Sequence, residues 1–176
     1  MFDYKNYEQD TDRRRTMVAS QLGAIIREWI KESGRMEGKD EDTINNSGGK
    51  IFEFGSYRLG VHSPGTDIDA LVVAPRHIDR DKHFFGILPG ILERTEGVTD
   101  LIMVREAFVP CIKFVYKRVD IDLLFARVEL KEVSESLDSL QDNAILRNCD
   151  SESIKSLNGR RATDAILDNI PNIHTF

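Results

Sequence analysis

A chain of 176 residues, 40% of them hydrophobic, suits one domain with a real core and shows no stretch biased enough for long disorder. Its formal charge of −6 argues against a surface whose main task is gripping nucleic acid, so any such contact must be local or come from another domain. No apolar run approaches the roughly 18 residues that cross a bilayer, the polar start MFDYKNYEQD is unlike a secretion signal, and Cys111 and Cys149 lack metal-type spacing, which points to an intracellular chain with a buried Cys111 thiol.

From Tyr7 to Ser33, Met17, Val18, Leu22, Ile25, Ile26, Trp29 and Ile30 recur at helical spacing and predict an amphipathic helix ended by Gly34. Lys39 to Asn46 forms a short second helix, and Gly48-Gly49 breaks the chain before a strand at Ile51–Phe54. A Gly-rich loop, 55–66, leads to Asp67–Val73 (DIDALVV), which alternates and then turns wholly apolar, as a strand does on entering a core. Asp79 caps a helix through Phe84, Phe85, Ile87 and Leu88 that Pro89 and Gly90 kink or interrupt. Strands follow at Asp100–Arg105, Phe108–Tyr116 and Val119–Ala126, then a polar loop from Lys131 to Asp142. The last helix, Ser151–Leu167, has Ile154, Leu157, Ala162, Ile166 and Leu167 as its apolar positions. The fold class is α/β (α+β): a mixed sheet of about five strands with helices packed on it, residues 1–47 forming an N-terminal helical arm and 48–176 the catalytic domain.

Three features carry chemistry together: Gly55-Ser56 directly after a strand, the pair Asp67 and Asp69, and Asp122 in a distant strand. Residues two apart on a strand share a face, so Asp67 and Asp69 point the same way with α-carbons about 6–7 Å apart, close enough to share one hard cation. A third carboxylate from Asp122 closes the cluster if its strand pairs nearby. Asp120 shares a strand face with Asp122 and is the alternative; Asp122 is preferred because Leu123-Leu124-Phe125 follow it. Three crowded carboxylates make sense only with a cation, and an all-oxygen set favours Mg²⁺ or Mn²⁺. Such a cluster suits two-metal phosphoryl transfer, with ions about 3.5–4 Å apart, while backbone N–H groups after Gly55 and the Ser56 hydroxyl would cradle a triphosphate. Lys113 alternates out of an apolar strand and is read as a solvated face.

FEFGSYRLGVHSPGTDIDALVVAPRHIDR, with EAFVPCIKF, VDIDLLFARV and SIKSLNGRRATDAILDNIPNIHTF, resembles the catalytic region of nuclear poly(A) polymerases, in the DNA polymerase beta-like nucleotidyltransferase superfamily. The resemblance implies template-independent transfer of AMP from ATP to an RNA 3′-hydroxyl, two Mg²⁺ or Mn²⁺ ions, a nuclear location and recruitment to a cleavage and polyadenylation complex through regions beyond this chain. It places the metal-binding aspartates on Asp67, Asp69 and Asp122, and the triphosphate contacts on Phe54, Gly55 and Ser56, with Ser63 in the following loop. Asn158 of SLNG would lie near the nucleotide, or is a helix residue satisfied by backbone; Phe108 would lie beside the RNA 3′ end, or is core. Arg58 and His62 share the loop without assigned roles.

Family members continue past the position of Phe176 into a helical middle domain, which supplies much of the adenine recognition, and an RNA-binding domain. The chain therefore reads as a fragment keeping the metal site and lacking one wall of the cleft. A uridylyl- or CCA-adding transferase, or a non-catalytic scaffold, are the alternatives.

Overall fold

The computed structural model describes residues 3–55 and 67–169. It opens with α1 (Tyr4–Met36) and α2 (Glu41–Asn46). Helix α1 does not stop at Gly34. That residue is buried inside the helix, where a Cβ would sit 3.3 Å from Ile44 Cγ1, so its bare backbone lets α2 lie close. The helix is capped by Glu37, and the chain turns away at Gly38 in the left-handed region, φ +69°.

Five strands follow: β1 (Lys50–Phe54), β2 (Ile68–Ala74), β3 (Val98–Val104), β4 (Cys111–Tyr116) and β5 (Val119–Arg127). They form one mixed sheet in the order β1-β2-β5-β4-β3. Only the β2–β5 pair is parallel; the other neighbours run antiparallel. Strand β4 begins later than the apolar run suggested, because Pro110 has no N–H to give the ladder.

The single kinked helix expected after Asp79 is two elements. Asp79 accepts the Lys82 N–H at 2.8 Å and caps a π-helical turn, Arg80–Phe84. Helix α3 (Leu88–Glu93) then starts afresh with Pro89 in its first turn, where a missing N–H costs nothing. Pro89 opens a helix here and does not interrupt one. After β5 an irregular stretch with a 3₁₀ turn (Asn143–Leu146) leads to α4 (Ser151–Asn169). No described helix is long and apolar enough to cross a membrane.

The sheet has two differently covered faces. Ile68, Ala70, Val72, Ile112, Phe114, Ile121, Leu123 and Phe125 pack under Val18, Leu22, Ile26, Trp29 and Ile30 of α1, Phe84 of the π turn, and Leu88 and Leu92 of α3. On the other face Phe52, Leu71, Val73 and Ala126 pack with Leu157 of α4 and with Val133 and Leu140 from the loop after β5. The buried set of α4 differs from the apolar periodicity. Ser153, Ser156, Leu157, Arg160 and Thr163 face inward, whereas Ile166 is 44% exposed. The helix is seated by hydrogen bonds as much as by apolar contact.

Candidate active site

Strand pairing builds an acidic end to the sheet. The parallel register sets Asp69 of β2 directly opposite Asp122 of β5. Asp122 in turn faces Lys113 of β4, and Asp69 faces Phe54 of β1. One rung across four strands therefore reads Phe54, Asp69, Asp122, Lys113, and directly paired residues share a face. It is the α4 face, ahead of the stretch that the Phe52 and Leu71 core fills. Asp67 stands just before β2 and is exposed; Asp69 and Asp122 are half-buried.

Burial first, and then the neighbouring charges, raise the pKa values of Asp67 and Asp69. Burial raises the Asp69 carboxyl above its ordinary range, and the charges of Asp122 and Asp67 push it further. Burial likewise raises Asp67, with Asp122 and Asp120 adding to it and Lys113 and Arg15 opposing. Lys113 donates to Asp122 Oδ2 at 3.1 Å, and that bond raises the pKa of the ammonium. Lys113 lies on the solvated face expected for it, its side chain 46% exposed, and from there its amine also closes the acidic row. The signal was there in the alternation, since Lys113 and Asp122 occupy facing strands of a hairpin joined by Lys117-Arg118.

Among the described residues no three Asp, Glu, His or Cys side chains are already drawn tightly enough together to clasp an ion. The donor chemistry nonetheless fits a hard divalent cation. Asp69 and Asp122 are adjacent, offer only oxygen, and repel one another in a half-buried setting that a cation would relieve. Asp120 is exposed and lies one step from Asp122 toward Asp67.

Gly55 is shaped around Asp69. Its φ is +72°, and a Cβ there would lie 2.7 Å from Asp69 Oδ2. Its N–H donates to Thr163 Oγ1 at 3.1 Å, and Arg160 Nη1 donates to the Glu53 carbonyl at 2.7 Å. Arg160 also bonds both oxygens of Asp164 and stacks over the Phe52 ring, 5.1 Å from its centroid. These α4 contacts hold the end of β1 against the acidic row. Neither Arg160 nor Thr163 was picked out from sequence; their signal is a polar stripe, Ser156, Arg160, Thr163, at helical spacing. Gly55→Ala is expected to leave far-UV dichroism unchanged and to weaken divalent-cation binding about tenfold or more, by strained backbone and a displaced Asp69 carboxylate. Unchanged affinity in a Mn²⁺ titration would refute the fit.

Phe54 is half-buried and lies against Gly159, where a Cβ would come within 3.2 Å of its ring. Asn158, the neighbour of Gly159, is exposed. Phe108 is not core: it is 77% exposed, and Lys155 of α4 places its ammonium 4.2 Å from the ring centroid. Ser56, Arg58, His62 and Ser63 lie outside the described residues. Cys111 is buried and both cysteines are free, as expected. A cavity of about 410 Å³ lined by Val128, Leu130, Leu137 and Ile145 lies at the far end of β5 and takes no part in this site.

Residues 1–170 match the poly(A) polymerase nucleotidyltransferase domain. The chain is 44% identical over 167 residues to a poly(A) polymerase of Dictyostelium discoideum, covering 95% of this chain and 20% of that protein. It is 46% identical over 163 residues to nuclear poly(A) polymerase 1 of Arabidopsis thaliana, covering 93% and 23%. With a Schizosaccharomyces pombe poly(A) polymerase the identity is 44%, covering 93% and 28%. The chain thus spans between a fifth and somewhat over a quarter of these relatives. Among solved structures it is similar to the polymerase core of TRAMP, an RNA surveillance complex, at 20% identity and TM-score 0.46, over 70% of this chain and 32% of that one. It is also similar to the Vibrio cholerae cyclic AMP-GMP synthase DncV, at 12% identity and TM-score 0.43, over 72% and 46%. A match that runs through both aspartate-bearing strands and nearly the whole length places the chain in the poly(A) polymerase nucleotidyltransferase domain family.

Proposed function

We propose that the chain carries the metal-binding half of an RNA adenylyltransferase, which moves AMP from ATP to an RNA 3′-hydroxyl and releases pyrophosphate. The observation that carries this reading is the register that sets Asp69 opposite Asp122, with Asp67 ahead on the same side. Asp67, Asp69 and Asp122 would hold two Mg²⁺ or Mn²⁺ ions. When bound, these would lower the pKa of the attacking hydroxyl and neutralise the leaving pyrophosphate.

The protein's own part is positioning. Gly55 lets the chain pass close to Asp69; the triphosphate contacts proposed with it are the backbone N–H groups that follow, Ser56 and Ser63. Phe54, which lies against Gly159, and the exposed Asn158 next to Gly159 in the chain would border the nucleotide. Exposed Phe108, beside the Lys155 cation, suits stacking against the RNA 3′ end, since an aromatic face accepts any base. The name of the Arabidopsis relative supports a nuclear location for this activity, and the family resemblance supports recruitment to a cleavage and polyadenylation complex.

Primer extension tests the reading: the chain, an oligo(A) primer, each nucleotide separately, with Mg²⁺ or Mn²⁺. AMP incorporation preferred by about tenfold or more over the other nucleotides is expected. Preferred UMP or CMP incorporation would replace the adenylyl reading. No incorporation combined with no cation binding would replace it with a scaffold.

A further inference from the structure

Asp122 has two different neighbours. Strand β5 lies between β2 and β4, so the carboxylate has Asp69 on one side and Lys113 on the other. The Lys113 amine is bonded to Oδ2. Oδ1 carries no bond to Lys113 and is the less engaged oxygen that Asp122 can offer to an ion shared with Asp69. The pair is partly solvated, with the Asp122 side chain 21% and the Lys113 side chain 46% exposed, so it contributes little to stability. A cation set within an acidic row needs a reason other than holding the fold together.

We propose that Lys113 sets how tightly the carboxylate row holds a divalent cation, by engaging one oxygen of Asp122 and placing a fixed positive charge beside the ion. This rests on the reading above, that Asp69 and Asp122 are ligands. Lys113 is then a positioning residue whose charge weakens equilibrium binding while fixing which oxygen is presented. A row of three carboxylates with no such charge would hold an ion more firmly, because every neighbour would attract it. The lysine tempers that attraction and keeps Asp122 from closing on the ion with both oxygens.

The test is Mn²⁺ binding to the 176-residue chain by calorimetry, for the native protein and for Lys113→Met and Lys113→Arg. Methionine keeps the length and apolar stem of the side chain and loses its charge. Removing one positive charge beside a divalent ion, in a largely aqueous setting screened by salt, is worth roughly threefold to tenfold in affinity. Lys113→Met is therefore expected to bind Mn²⁺ about threefold to tenfold more tightly than the native chain. Lys113→Arg, which keeps the charge and can still reach Asp122, is expected to bind within about twofold of it.

A residue that merely supported the strand would give the opposite sign, weaker binding in both variants. Equal or weaker binding in a folded Lys113→Met chain overturns the proposal and leaves the metal site standing. If the native chain binds no Mn²⁺, or Asp69→Asn binds it as well as the native chain, the ligand assignment falls and the role of Lys113 falls with it.

Discussion

Asp69→Asn is expected to cut nucleotidyl transfer by about a thousandfold or more and, without divalent cation, to raise the melting temperature of the chain. The first effect follows from the rung if the proposed site is right: Asp69 stands opposite Asp122 in the strand register and lies against the Gly55 backbone, so it would join the proposed metal ligands to the proposed triphosphate contacts. A loss of three orders of magnitude corresponds to about 4 kcal/mol of transition-state stabilisation, within reach of a single misplaced charge-neutralising centre. The second effect has the opposite sign for a physical reason. The folded protein holds the Asp69 carboxyl above its ordinary value of 3.8, through burial first and then the charges of Asp122 and Asp67. A carboxyl raised in the fold favours folding while protonated, and that contribution is lost as pH rises through the folded value. At neutral pH the ionised Asp69 opposes folding unless a cation compensates it. Asparagine removes the opposition. Thermal melts with chelator between pH 4 and pH 7 should therefore show the native chain losing ground to the variant as pH rises, and added Mg²⁺ should reverse the order by mass action. A variant that melts below the native chain throughout, or keeps transferring AMP, would count against the assignment.

Most of this site could be read from the chain, though not its closure. Alternation in DIDALVV put Asp67 and Asp69 on one face, and the apolar run after Asp122 marked it as entering a core. Nothing local could pair the two strands. That register comes from the crossover between β2 and β5, which carries the π turn, α3, β3 and β4. Helix α4 shows a different limit. Hydropathy favoured Ile154, Ala162 and Ile166 as the packed stripe, but Arg160 and Thr163 face the sheet because they bond the Glu53 carbonyl and the Gly55 N–H. A buried polar group that finds its partners costs little, and hydropathy cannot see the partners. Phe108 marks a third limit. An apolar residue next to a strand looks like core until Pro110 is taken as the break that leaves it in the turn.

The core offers a prediction that separates stability from chemistry. Trp29→Ala is expected to destabilise the chain by about 3–5 kcal/mol, while the cation affinity of whatever remains folded stays unchanged. Trp29 is fully buried on the sheet face away from the carboxylates. Its ring meets Phe84 and Phe125 edge-on, at centroid distances of 6.1 and 6.3 Å, so it touches both the π turn and β5. Its indole N–H donates to the His83 carbonyl at 3.0 Å. His83 is itself fixed: Nδ1 accepts the Asp79 N–H at 2.7 Å, which leaves the proton on Nε2 to meet Glu37 at 3.0 Å. Alanine would open a cavity beneath α1 and remove one of the two donors of the His83 carbonyl, which keeps the Ile87 N–H at 3.1 Å. Against the 5–15 kcal/mol typical of a domain, the expected loss is a large fraction of the total. With a slope of about 2 kcal/mol/M, the urea midpoint should fall by roughly 2 M. Trp29→Phe keeps much of the ring and loses only the donor and part of the volume, so its midpoint should fall by less than half as much. Because Trp29 and the carboxylates lie on opposite faces, a Mn²⁺ titration at low temperature, where Trp29→Ala is still folded, should return the native affinity. A weakened affinity in the folded variant would mean that α1 packing sets the position of Asp69 through β2, and that the two faces are mechanically coupled.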